Sequence, residues 1–304
     1  MSGAPEPERT PDPTPRPRFD VIVCGSLHLD ILVTAPSLPR PDETVTGSAW
    51  DMACGGKGGN QAVMAARAGA RAAMIGRVGG DDFGDRLLAN LAAAGVDSTA
   101  VPRDPSARSG MSVAIVRDDG EYGAVIVSEA NLSIDPAGVG GRWRDLGGAR
   151  VLILQNEVPE AVNLAAARAA RASGAMILLN AAPARATTDE LLSLVDTLIV
   201  NRVEAEAIVE GTIGDPRDAA AALPRLGRAG QDVIVTLGAA GLVVRPRGAE
   251  ARIIPARAVT VVSAHGAGDC FVGALAAHVA RGVGLVEACV AASDAAAAHV
   301  SRAR

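Results

Sequence analysis

From Phe19 onward the chain alternates short apolar runs with stretches of helical periodicity. Val21 to Cys24 is a compact apolar run closed by Gly25-Ser26, the pattern of a buried strand that turns into a loop. Asn60 to Ala68 reads as a helix that stops at Gly69, and Ala72 to Ile75 as a second buried strand. Phe83, Leu87 and Leu91 recur every four residues and predict a helix that ends at Gly95. The alternation resumes with Val151 to Leu154, a helix over Glu160 to Ala172, Met176 to Leu179, Leu198 to Val200, a helix over Val203 to Glu210, and Val233 to Leu237. Such a sequence predicts an α/β fold, an open and mostly parallel sheet with helices on both faces.

Two stretches break the rhythm. Ile31 to Val33 with Thr44 to Ser48, and Met111 to Arg117 with Tyr122 to Ser128, predict short strands in hairpins, the second closed by Asp118-Asp119-Gly120. With no helices between them, they are expected to form a small β-sheet, with strands from about 31–49 and 111–128, placed as a lid over a cleft. Its apolar strand faces predict association with a second copy, a homodimer through the lid.

Composition narrows the function. Aromatic residues make up only 2% of the chain and the net charge is −5, so neither a stacking platform nor basic steering toward nucleic acid is expected. No apolar run is long enough to span a membrane. Residues 1–18 carry prolines at 5, 7, 11, 13, 15 and 17 among charged residues, which predicts a disordered tail rather than a signal peptide and leaves 19–304 as one domain. Cys24, Cys54, Cys270 and Cys289 are scattered without a paired spacing, which argues for a reduced, cytoplasmic setting. Arginine carries nearly all the positive charge; Lys57 is the single lysine.

The segment Thr260 to Gly273 reads as an apolar strand, a glycine turn and an amphipathic helix. Unpaired N–H groups at that helix start make an anion site, which Gly266 and Gly268 leave open to close approach. Asp269 at its edge either takes a proton from a hydroxyl that attacks phosphorus or simply caps the helix. A dinucleotide fingerprint fails because Phe271 stands where its third glycine belongs, and Gly56-Lys57 lacks the flanking residues of a phosphate-binding Walker loop. Cys54 to Ala62 places four glycines around Lys57 in front of a helix, which implies close approach to a ligand, with Asn60 as donor and acceptor for a polyhydroxylated compound. Asp30, Glu157, Asn180, Asn201 with Glu204, and Thr236 with Gly238 follow predicted strands at the sheet edge where open α/β folds bind ligands.

With these motifs in this order, the chain from about Val21 onward resembles the ribokinase (PfkB) family of carbohydrate and nucleoside kinases. The resemblance rests on Gly25-Ser26 with Asp30, Gly55-Gly56-Lys57-Gly58 with Asn60-Gln61, Asn180 to Arg185, Asn201 with Glu204 and Glu206, Thr236-Leu237-Gly238, and Gly266-Ala267-Gly268-Asp269. It implies that Asp269 is the catalytic base and that Gly266, Ala267 and Gly268 form an anion hole for the transferring phosphoryl group. It implies that His28, Asp30, Gly56, Lys57, Asn60, Glu157 and Asp269 hold the substrate. Asn201, Thr236, Gly238, Gly268 and Ser293 would bind ATP, and Glu204 would order Mg²⁺ through water.

Three departures matter. His28 stands where relatives that use ribose usually have Asn, and Ser263 where they usually have an Asp associated with a monovalent-cation site. The chain also ends at Arg304, before a glycine loop and final helix that the family normally adds. Weak or absent potassium activation is therefore expected. The first expectation is an ATP- and Mg²⁺-dependent kinase for a primary hydroxyl of a pentose such as ribose; a nucleoside or another sugar is the alternative, because an imidazole at 28 suits either a base or a hydroxyl. A sugar- or nucleotide-binding regulatory protein with weakened turnover, and more remotely a dehydrogenase, are the readings from other classes.

Overall fold

The computed structural model describes residues 17–117 and 122–302. The tail expected over 1–18 lies outside the described residues up to 16, as does the Asp118-Asp119-Gly120 turn. In chain order the strands are β1 (Phe19–Cys24), β2 (His28–Thr34), β3 (Ala49–Gly55), β4 (Ala72–Ile75), β5 (Val78–Gly79), β6 (Asp97–Ala100), β7 (Arg103–Asp104), β8 (Gly110–Val116), β9 (Tyr122–Val127), β10 (Ala149–Gln155), β11 (Met176–Asn180), β12 (Thr197–Asn201), β13 (Asp232–Thr236), β14 (Leu242–Arg245) and β15 (Arg252–Ile254). The helices are α1 (Lys57–Arg67), α2 (Asp82–Ala93), α3 (Pro136–Asp145), α4 (Glu160–Ala172), α5 (Asp189–Leu194), α6 (Arg202–Val209), α7 (Pro216–Leu226), α8 (Ala267–Ala280) and α9 (Leu285–Val300). Among the described residues no helix is long and apolar enough to cross a membrane.

The large sheet runs β15-β14-β13-β12-β11-β10-β1-β4-β6, parallel from β13 to β6, with β14 and β15 antiparallel at one edge. Its central strands are buried on both faces, and side-chain alternation divides the core in two. Ile22, Cys24, Leu152, Leu154, Ile177 and Leu179 pack on one side with residues of α3, α4, α6 and α7. Val21, Val23, Val151, Ile153 and Leu178 pack on the other with α1, α8 and α9. The chain winds from β1 toward β6 and then returns to β10 and winds the other way. The switch point therefore lies between the carboxyl ends of β1 and β10, at Gly25-Ser26 and Gln155 to Glu157, where this class of sheet opens a crevice.

The small sheet runs β3-β2-β8-β9. The expected pairing of Ile31 to Val33 with Thr44 to Ser48 is corrected: β2 pairs over its whole length with Ala49–Gly55, and 42–47 form no strand. The strand that carries this pairing ends in the glycine run, whose composition masks it. Two further readings change for a related reason. Helix α1 starts at Lys57 rather than Asn60, so two of the glycines form its first turn instead of a loop. The run Thr260 to Val262 is not a strand; Val261 and Val262 are more than half exposed, and the Val262 N–H bonds the carbonyl of Val300 at the end of α9. Helix α8 is not amphipathic either. Every residue from Asp269 to Ala277 is buried, because α1, α9 and the sheet enclose it.

Candidate active site

The two glycine-rich segments lie side by side because α1 and α8 pack closely. Gly273 makes that approach possible: a Cβ there would sit 2.6 Å from the carbonyl oxygen of Gln61 and 2.7 Å from the amide nitrogen of Ala65. Gly56, at φ 82°, turns the chain out of β3 against the backbone of Leu27 and His28, a conformation and a space that only glycine fits. The N-termini of both helices thus open toward the switch point.

Asp269 is the third residue of α8 and does not cap it; Gly266 occupies the cap position and the helix start has no side-chain cap. The Asp269 carboxylate instead crosses to α1. Its Oδ2 accepts from Asn60 Nδ2 at 3.0 Å and its Oδ1 from Gln61 Nε2 at 3.0 Å. Burial pushes the Asp269 carboxyl above the usual carboxylate range. Lys57 and the two amide donors pull it back, and Glu157 adds to the upward push. A buried carboxylate with a raised pKa, bonded by two amide donors and beside one ammonium, is suited to accept a proton.

Glu157 ties the switch point together. Its Oε2 accepts from Ser26 Oγ at 2.5 Å and from the Lys57 backbone N–H at 2.8 Å, and lies 3.8 Å from His28 Nδ1. His28 is buried, and that burial holds its pKa below the ordinary value against the opposing pull of Glu157 and Asp30. Among the described residues its Nε2 has no hydrogen-bond partner. Asp30, opposite Ser112 in the β2/β8 register, accepts from the Ser112 hydroxyl at 2.5 Å, while its Oδ2 rests against Gly55. His28, Asp30, Gly56, Lys57, Asn60, Glu157 and Asp269 are therefore assembled where β1, β2, β10, α1 and α8 converge.

A second group surrounds a cavity of about 530 Å³ between β13, the 256–264 segment, α8 and α9. Thr236, Gly238, Ala267, Gly268 and Ser293 line it, and the remaining wall is apolar apart from Arg257, including Val259, Val261, Phe271, Ala296 and Val300. A flat, largely apolar slot that ends at a helix N-terminus can hold an aromatic base at one end and an anion at the other. Asn201 is not on this wall. It caps α6, its side chain accepting from the Glu204 N–H, while the Glu204 carboxylate accepts from Asn201 N at 2.7 Å and Asn201 Nδ2 at 2.9 Å. Glu204 is buried, which raises its pKa; the Asn201 N–H and Lys57 oppose that and Asp269 reinforces it. Ser263 is half-buried and its Oγ accepts from the His265 N–H at 3.3 Å.

Residue-by-residue reading of the sequence missed Ser26, Ser112, Gln155 and the apolar wall contributed by α9. Their side chains are ordinary in type, and only the strand register and the helix packing bring them to the site.

The family model described as pfkB family carbohydrate kinase matches residues 18–304. A ribokinase of Mus musculus is 37% identical over 263 residues, which cover 86% of this chain and 81% of that protein. A ribokinase of Haemophilus influenzae is 34% identical over 257 residues, covering 84% of each chain. The solved structure of an Arabidopsis thaliana ribokinase complexed with ribose and ATP superposes with a TM-score of 0.85 at 26% identity, covering 95% of this chain and 94% of that one.

Proposed function

This chain belongs to the pfkB family of carbohydrate kinases, and on that premise we propose that it transfers the γ-phosphoryl group of ATP to the primary hydroxyl of ribose, giving ribose 5-phosphate and ADP. The observation that carries the proposal is Asp269, a buried carboxylate at the start of α8 that shares one crevice with Lys57, Asn60, Asp30 and Glu157.

In this reading the sugar lies between the small sheet and the ends of β1 and β10. The Asp30 and Glu157 carboxylates accept from its hydroxyls, the Asn60 amide and the Gly56 backbone complete the contacts, and Lys57 donates as a cation. Asp269 takes the proton of the attacking hydroxyl. The new bond forms between that oxygen and the γ-phosphorus as the bond to the β–γ bridging oxygen breaks, and ADP leaves with the electron pair. The N–H groups at Gly266 and Gly268 face the charge on the transferring group, while that of Ala267 donates to the Ala264 carbonyl at 3.3 Å and has to turn from it to join them; removal of one such donor from a comparable site costs about 10²–10³ in rate. Thr236, Gly238, Gly268 and Ser293 line the ATP slot. Both oxygens of Glu204 already accept from Asn201, which suits a carboxylate that holds Mg²⁺ through water rather than directly. Mg²⁺ supplies charge neutralisation on the phosphates.

His28 favours one second reading, a nucleoside or a different sugar, since a neutral imidazole with an unpartnered nitrogen presents other chemistry than an amide. The test is ADP release with ATP and Mg²⁺ across ribose, deoxyribose, fructose, 2-keto-3-deoxygluconate, adenosine, inosine and pseudouridine. Highest kcat/KM on ribose supports the proposal; turnover confined to a nucleoside replaces it with the second reading; ATP binding without turnover on any compound overturns both. The exposed Trp50, Val125 and Ile126 on the edge strands of the small sheet support a homodimer, which light scattering tests.

A further inference from the structure

Behind Asp269 lies a chain of amides in which no group is free to flip. Gln61, fully buried in α1, donates through Nε2 both to Asp269 Oδ1 and to Asn180 Oδ1, each at 3.0 Å. An ionised carboxylate only accepts, and Asn180 turns its own Nδ2 toward the backbone carbonyl of Ile199, so its oxygen must face Gln61. The Gln61 Oε1 is then committed to a donor and accepts from Gln155 Nε2 at 2.8 Å. Gln155, fully buried at the end of β10, keeps this orientation although its own Oε1 has no partner among the described residues. Gly25 leaves the room for that oxygen: a Cβ at 25 would meet it at 1.9 Å. A buried acceptor without a donor is unfavourable, so an orientation that tolerates one indicates that the opposite end of the amide is the constrained one.

We infer that Gln61 is a positioning residue for the base, its amide held by Gln155 so that a donor always points at Asp269 Oδ1. This rests on the kinase reading. The two carboxylate oxygens then differ. Oδ1 is pinned by a fully buried amide locked on both sides by Asn180 and Gln155, whereas Oδ2 is bonded by Asn60, which is half-buried at the crevice and able to turn its amide to a substrate hydroxyl. Oδ2 is the oxygen that takes the proton when the sugar oxygen bonds to phosphorus and ADP departs. The charged groups that face Asp269 are Lys57 from α1, Glu157 beyond β10 and Glu204 from α6, and the test leaves all three in place.

Gln61→Met keeps the shape and removes the donor. It is expected to lower kcat by about 10²-fold while KM for ribose and ATP stay unchanged. The acid limb of the kcat profile should move up by about one pH unit, since a donor to the charged form has been lost. Gln155→Met, which does not touch Asp269 and adds no charge, leaves Gln61 Oε1 without its donor, and an upward shift in the same direction is expected as the Gln61 amide is freed to turn. An unmoved limb in a folded variant overturns the inference. Carboxyl ¹³C NMR titration of the ligand-free protein, with Asp269→Asn as the assignment control, reads the base without any substrate. If the wild type turns over no compound, the kinase reading has failed and this titration alone decides: a raised Asp269 pKa in either variant sustains the positioning role, and an unchanged one refutes it. Thermal melts identify a variant that does not fold, in which case the other one decides.

Discussion

Replacing Gly273 with alanine puts a methyl group into the seam between α8 and α1. The new Cβ would lie 2.6 Å from Gln61 O, 2.7 Å from Ala65 N and 2.8 Å from Met64 Cβ. Two of these are backbone atoms of a buried helix and cannot rotate away. Ordinary contact returns only if the helices part by about 0.8 Å. Overpacking of this kind costs about 1–3 kcal/mol, which for a chain of this size lowers Tm by roughly 2–5 °C. The same displacement stretches the hydrogen bond from Asn60 on α1 to Asp269 on α8. A shift approaching 1 Å between reacting groups costs up to about 10²-fold in rate, so kcat should fall by about tenfold or more. Thermal melting by circular dichroism and ADP release at saturating substrates measure the two effects. A variant with the Tm and kcat of the wild type would refute the argument that this glycine sets the spacing of the site.

Three further outcomes are expected. Ala296→Phe projects a ring into the cavity of about 530 Å³ and should raise KM for ATP with KM for ribose unchanged; an unaltered KM for ATP would show that the nucleotide sits elsewhere. Asp81 caps α2 and holds the start of β8, accepting from Gly84 N, Ser109 N and Ser109 Oγ; burial alone would raise its pKa, but these bonds outweigh it and hold it below the ordinary value. Its stabilisation is therefore present above the unfolded pKa and lost as pH falls through the folded one, so Asp81→Ala should cost about 1 kcal/mol at pH 7 and progressively less in acid, as read from urea melts. Ser263 stands where the family resemblance leads one to expect a carboxylate associated with a monovalent cation, so activity in potassium should match that in sodium, and a large potassium-specific increase would contradict this.

The parallel sheet was legible because its strands are buried on both faces and read as apolar runs between helices. The small sheet was legible only where its strands carry apolar runs; β3, half exposed and ending in glycines, was placed five residues too early. Gly266 to Asp269 and Gly55 to Asn60 were legible as the proposed anion and polyol sites because close approach and charge leave a compositional trace. Gln61 entered only as a member of a motif, without a role of its own, and Gln155 leaves none. Their function arises from the meeting of α1, β10 and α8, and an amide in a core is silent until its partners are known.

The central claim is that this chain phosphorylates the primary hydroxyl of ribose with Asp269 as the base. The direct measurement is ³¹P NMR of the product formed from ATP, Mg²⁺ and ribose by the wild type and by Asp269→Asn. The account predicts a phosphomonoester on the C5 hydroxyl, with its formation abolished in the variant. A phosphate on another hydroxyl, or equal formation by Asp269→Asn, would contradict it.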